Sequence, residues 1–138
     1  MNLKKINEKF LDRFIRLESL CAKRFGVVTA GVTEYISRLN RAEHADGRDE
    51  ALRQLNRYRS LRNKMVHEEG ALRSMREINK TDIKWLEKFT RLVKRKKDPL
   101  SRFYKKEKKS KGWRIFLIIL FAILFLGSVA ALILLTMI

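Results

Sequence analysis

Apolar residues recur every third or fourth position at Leu3, Ile6, Phe10, Phe14, Leu17 and Cys21, a spacing that predicts a long first helix ending before Gly26. Val32, Tyr35, Ile36 and Leu39 predict a shorter second helix that stops near His44, ahead of the turn signal Ala45-Asp46-Gly47-Arg48. Leu52, Leu55, Tyr58, Leu61, Met65 and Val66 predict a third, reaching Glu68 or Glu69 and punctuated by Gly70. The fourth runs from Thr81 as N-cap, with Asp82 in its first turn, through Trp85, Leu86, Phe89, Leu92 and Val93, and Pro99 ends it. No stretch has the alternation of a strand. The pattern predicts an all-α fold, a four-helix and largely antiparallel bundle over residues 1–97.

Periodicity disappears after residue 114. From Ile115 to Ile138 the chain reads IFLIILFAILFLGSVAALILLTMI without a single charge. As a helix this stretch is roughly 36 Å long, enough to cross a hydrocarbon core of about 30 Å with some tilt. A soluble core wide enough to hide every face of such a rod is beyond the charge-rich remainder of the chain. Residues 115–138 are therefore expected to form one C-terminal transmembrane helix, and residues 98–114 a basic juxtamembrane linker. Within the helix, Gly127 and Ala131 have the small-xxx-small spacing that lets two such helices pack closely.

Charge sets the orientation. The chain carries +17, and residues 94–114 alone hold 11 Lys or Arg against 2 acids. Positive charge is retained on the cytoplasmic side, so a single-pass protein is expected with its N-terminal domain in the cytoplasm, its C-terminus outside and Trp113 as interfacial anchor. The run next to the membrane predicts anionic lipids as partners. The start, MNLKKINEKF, lacks the apolar core of a signal peptide. Cys21 has no second thiol to pair with and reads as a small core residue. No Cys, His or carboxylate cluster has metal-ligand spacing, and no cofactor is expected.

One residue breaks the pattern. With Leu52 at zero and about 100° per residue, the six apolar residues of the third helix centre on about 270°, and Arg62 falls at about 280°. A guanidinium inside a core-facing stripe needs an internal carboxylate or a crevice that admits an anion. Glu18, which falls inside the apolar arc of the first helix, is the expected internal partner. Asn63 and His67 follow at about 20° and about 60°, one turn apart on the edge that Arg62 borders. An arginine, an amide and an imidazole suit RNA cleavage by attack of a ribose 2′-hydroxyl on its own phosphate. The imidazole serves as general acid or base, the guanidinium binds phosphate, and the amide orients either partner. One histidine is few for a reaction that needs both acid and base, which points to a homodimer.

The run Arg62-Asn63-Lys64-Met65-Val66-His67, in LRNKMVHEEG near the end of a bundle helix, resembles the signature of the HEPN superfamily: Arg, a polar residue, then His after four to six intervening positions. Arg38 and His44 share the bare spacing, but Leu39 follows that arginine in place of a polar residue. The resemblance implies a metal-independent endoribonuclease acting at a composite dimer site, with Arg62, Asn63 and His67 as its catalytic residues. It also implies RNA as substrate, a role as toxin or defence effector, and a cognate antitoxin as partner. The alternative from the residues alone is a non-catalytic helical adaptor or RNA-binding protein tethered to the membrane. There Arg62 pairs with Glu18, and His67 complements a helix C-terminus.

Overall fold

The computed structural model describes residues 2–136, with side chains through Gly127. Its helices are α1 (Leu3–Phe25), α2 (Gly31–Arg41), α3 (Arg48–His67), the one-turn α4 (Ala71–Ser74), α5 (Lys80–Lys94) and α6 (Pro99–Thr136). The described residues contain no strand, so the chain is all-α. It divides into two units, Met1–Phe103 and Tyr104–Ile138.

In the first unit α1 is the central element and packs on α2, α3, α4 and α5. Its stripe is buried as the spacing requires, with Phe10, Phe14, Leu17 and Cys21 all within 2% of full burial. Facing it are Tyr35 and Leu39 from α2, Leu55 and Tyr58 from α3, and Leu86 and Phe89 from α5. Aromatic rings run through this core: Phe10 meets Tyr58 edge-on at 5.4 Å, Tyr58 meets Trp85 at 5.4 Å, and Trp85 stacks on Phe89 at 4.7 Å. Burial raises the Cys21 thiol to about 12, which leaves it protonated and inert.

The helix ends differ from expectation: α2 stops at Arg41 and not near His44, α3 at His67 and not at Glu68 or Glu69, and the ends of α5 and the start of α6 also differ. Asn79, not Thr81, caps α5: its side chain accepts from the amides of Thr81 (2.8 Å) and Asp82 (3.0 Å), while Asp82 accepts from the Asn79 amide at 2.9 Å. This reciprocal pair satisfies donors that Thr81, two residues later, does not reach. Pro99 does not end α5, which stops at Lys94. The stop is a pair of backbone bonds, Lys97 N–H to Leu92 O (2.9 Å) and Lys96 N–H to Val93 O (3.1 Å), with Lys96 left-handed at φ 54°. Pro99 instead opens α6, where its missing N–H costs nothing. Asp98 just before it accepts the Ser101 amide at 3.2 Å. Residues 99–114, expected as a linker, are therefore helical.

In the second unit α6 presents Ile115, Phe116, Ile118, Phe121, Leu124 and Phe125 as exposed side chains, and Trp113 lies beside Phe116 at 5.8 Å. Among the described residues one helix is long and apolar enough to cross a membrane. An apolar face of that size is stable only against lipid or protein. Gly127 belongs to this helix, and the Ala131 side chain lies outside the described residues.

Candidate functional site

The last turns of α3 carry the residues singled out from the sequence. Their surroundings come from α1 and from the tight entry into α2. Gly31, the first residue of α2, lies against the α1 backbone, where an added Cβ would fall 2.2 Å from the Ala22 backbone nitrogen and 2.4 Å from the Glu18 backbone carbonyl oxygen. Ala30 before it is left-handed at φ 58° and offers no side-chain cap. The carboxylate of Glu18 takes that role, its Oε2 accepting from the Val32 amide at 3.0 Å.

The expected Arg62–Glu18 ion pair is consequently not formed. Both residues are half-buried and line one crevice of about 270 Å³, together with Thr29, Thr33, Arg59 and Asn63 over a floor at Phe14. Arg62 sits where the α3 stripe turns inward, as the helical wheel requires, and the crevice supplies the opening that the apolar pattern could not. Its Nη1 donates to Oδ1 of Asn63 at 3.1 Å, and no carboxylate lies within ion-pair distance of it among the described residues. Asn63 is exposed at the rim.

His67 is the last residue of α3, exposed, and its side chain has no hydrogen-bond partner among the described residues. The crevice brings Arg62 and Asn63 together, and His67 does not line it. Lys64, between them in sequence, faces elsewhere: its Nζ donates to Glu77 at 3.0 Å, which raises the Lys64 pKa and lowers that of Glu77.

Two contributors escaped the sequence reading. Arg59 lines the crevice one turn before Arg62, and its guanidinium donates to Asn56 at 3.2 Å. Its i, i+3 relation to Arg62 and i, i+4 relation to Asn63 were a usable signal. Asn7, wholly buried, donates from Nδ2 to the carbonyls of Leu72 and Met75, both at 3.0 Å, and so ties α1 to the segment that follows His67. A polar residue on an apolar stripe was its mark. Among the described residues no three His, Cys, Asp or Glu side chains converge.

A family profile described as a family of unknown function matches residues 8–117, most of the chain. The chain belongs to the DUF6548 family. The DUF6548 match takes in the crevice and the Arg62–His67 run, and it continues through the basic stretch to Leu117 in the apolar part of α6. No curated protein and no solved structure matches the chain.

Proposed function

We propose that this DUF6548 protein is a membrane-anchored, metal-independent endoribonuclease of the HEPN type, with its helical domain on the cytoplasmic side and its working form a homodimer. The observation that carries the reading is Arg62: half-buried in a crevice, bonded to the neutral Asn63 amide and in no ion pair with a carboxylate among the described residues. A guanidinium in that state is an anion site awaiting a ligand, since partial burial weakens screening and no internal charge competes for its donors. The adaptor alternative paired Arg62 with Glu18; among the described residues that ion pair is not formed, and Glu18 accepts from the Val32 amide.

In this reading the Arg62 guanidinium holds the scissile phosphate and stabilises the charge that builds on it. Asn63 keeps that guanidinium oriented. His67, exposed at the helix end, moves the proton of the 2′-hydroxyl or of the leaving oxygen. The second proton-transfer group comes from His67 of a second copy. The net positive charge helps RNA approach. The 11 basic residues of positions 94–114 retain the domain on the cytoplasmic side and meet anionic headgroups there.

The test uses the full chain in detergent micelles with RNA in excess EDTA. Expected are shortened RNA with cyclic phosphate ends, and a His67→Ala variant slower by about 100-fold or more. A His67→Ala variant that cuts as fast as its parent overturns the assignment.

A further inference from the structure

The balance of charges in the Arg62 crevice bears on which phosphate it accepts. Arg59 and Arg62 both line it, both are half-buried, and each donates only to a neutral amide, Asn56 at 3.2 Å and Asn63 at 3.1 Å. Across from them Glu18 contributes a carboxylate that is held in place by the Val32 amide at 3.0 Å. The other lining residues, Phe14, Thr29, Ala30, Thr33 and Asn63, are neutral, so two guanidiniums and one carboxylate leave the crevice with a formal charge of +1.

A phosphodiester brings one negative charge and matches that balance. A terminal phosphate monoester brings about −1.5 to −2 near pH 7. Taking its additional charge out of water costs more than the single net positive charge of the crevice returns, and the Glu18 carboxylate in the same lining repels it, in surroundings where partial burial keeps that repulsion from being fully screened.

We propose that Glu18 sets the charge selectivity of this crevice, which accepts singly charged phosphodiesters and rejects terminal phosphates. Internal RNA linkages are then preferred over 5′-phosphorylated ends and free nucleotides. The proposal rests on the reading of Arg62 as a phosphate ligand, and goes beyond it by assigning the discrimination to a residue on a different helix that the HEPN-like run does not contain. Glu18 is suited to the task because its position is imposed from outside the crevice: the close approach of Gly31 to the α1 backbone puts the Val32 amide beside it. The carboxylate is bonded to that amide and not ion-paired with Arg62, while its charge still bears on whatever Arg62 binds. Such rejection of a wrong ligand by an unpaired like charge is a common source of specificity.

The experiment measures binding of two probes to the full chain in micelles, by calorimetry at pH 7.5: uridine 5′-monophosphate and its methyl ester. The two share base and sugar and differ in charge, and neither carries the 3′-phosphate needed for 2′-hydroxyl attack. The parent is expected to bind the methyl ester more tightly. Glu18→Gln retains an oxygen to accept from Val32, and is expected to raise affinity for the monophosphate by about tenfold while changing that for the ester much less. A parent that binds the monophosphate as tightly as the ester, or a Glu18→Gln variant with an unchanged ratio, overturns this proposal. In either case, loss of both probes in Arg62→Ala leaves the phosphate-binding reading standing. If the parent binds neither probe, or Arg62→Ala binds both as its parent does, that reading falls and this inference with it.

Discussion

The phenol of Tyr35 donates to Oδ2 of Asp98 at 2.7 Å, and both residues are completely buried although 63 positions separate them. Arg24 closes the group, with Nη1 at 3.1 Å from both carboxylate oxygens and Nη2 at 2.9 Å from the Ser101 hydroxyl. Burial first, then the neighbouring carboxylate, pushes the Tyr35 pKa upward, so the phenol remains a donor throughout the working range. Asp98 thus ties α1 and α2 to the first turn of α6. Asp98→Ala should cost about 3–5 kcal/mol, because Arg24 and Tyr35 lose their common partner inside the protein. The cost is read as a lower melting temperature by near-UV circular dichroism of the full chain in micelles. A loss below about 1 kcal/mol would show that the group is dispensable.

Arg62→Ala should behave in the opposite way. With no carboxylate to orphan, its effect on stability should stay within about 1 kcal/mol of the parent, while RNA cleavage falls. The same melting experiment and the EDTA-resistant cleavage assay separate the two effects. A large drop in melting temperature would return Arg62 to a structural role.

Gly31 is required by a close approach. A methyl group there would stand within 2.8 Å of three α1 backbone atoms, so Gly31→Ala forces α2 away from α1. Destabilisation of about 1–3 kcal/mol is expected, together with loss of the Glu18–Val32 bond. Gly112→Ala is the control, since an added Cβ there meets nothing within 4 Å.

Lys96 holds the left-handed position that closes α5, at φ 54°. Glycine adopts that conformation without a Cβ clash, so Lys96→Gly should stabilise the chain by about 0.5–1 kcal/mol, seen as a raised melting temperature. Unchanged stability would mean that the Lys96 stem contributes packing of equal size.

Asp82 predicts an acid limit. Burial raises its pKa, but the bonds from Arg57, the Asn79 amide and Tyr58 outweigh that and hold the carboxyl below its ordinary value. A depressed folded pKa contributes stability that is present above the unfolded value of about 3.9 and lost as pH falls through the folded one. The melting temperature should therefore drop below about pH 4, and Asp82→Asn should flatten that drop. An identical acid profile in the variant would assign the effect to other carboxylates.

How much of this was legible in advance depended on how far apart the deciding residues lie. The α1 stripe, the stop at Gly26 and a third helix carrying LRNKMVH follow from patterns within a few residues; the observed helices keep them, with α3 ending at His67, just short of the expected Glu68 or Glu69. Arg62 was legible as an anomaly because a wheel needs only local spacing. Its neighbours were not: whether Glu18 met Arg62 or a backbone amide depended on Gly31 lying against α1, which no periodicity encodes. Pro99 read as a stop because proline cannot continue a helix, but the Lys96 turn had already ended α5, and proline was free to begin the next.

By itself, then, the sequence determined the helical class, the apolar segment able to span a bilayer, and the basic run beside it, because each depends on spacing, composition or charge along a continuous stretch. Only the tertiary structure decided that Arg62 opens onto a crevice without an ion-pair partner, that Arg59 and Glu18 share that crevice, and that Glu18 caps α2. The physical reason is that a buried polar group takes whichever donor or acceptor the packing of distant helices brings within about 3 Å, and that choice is made in space and not along the chain.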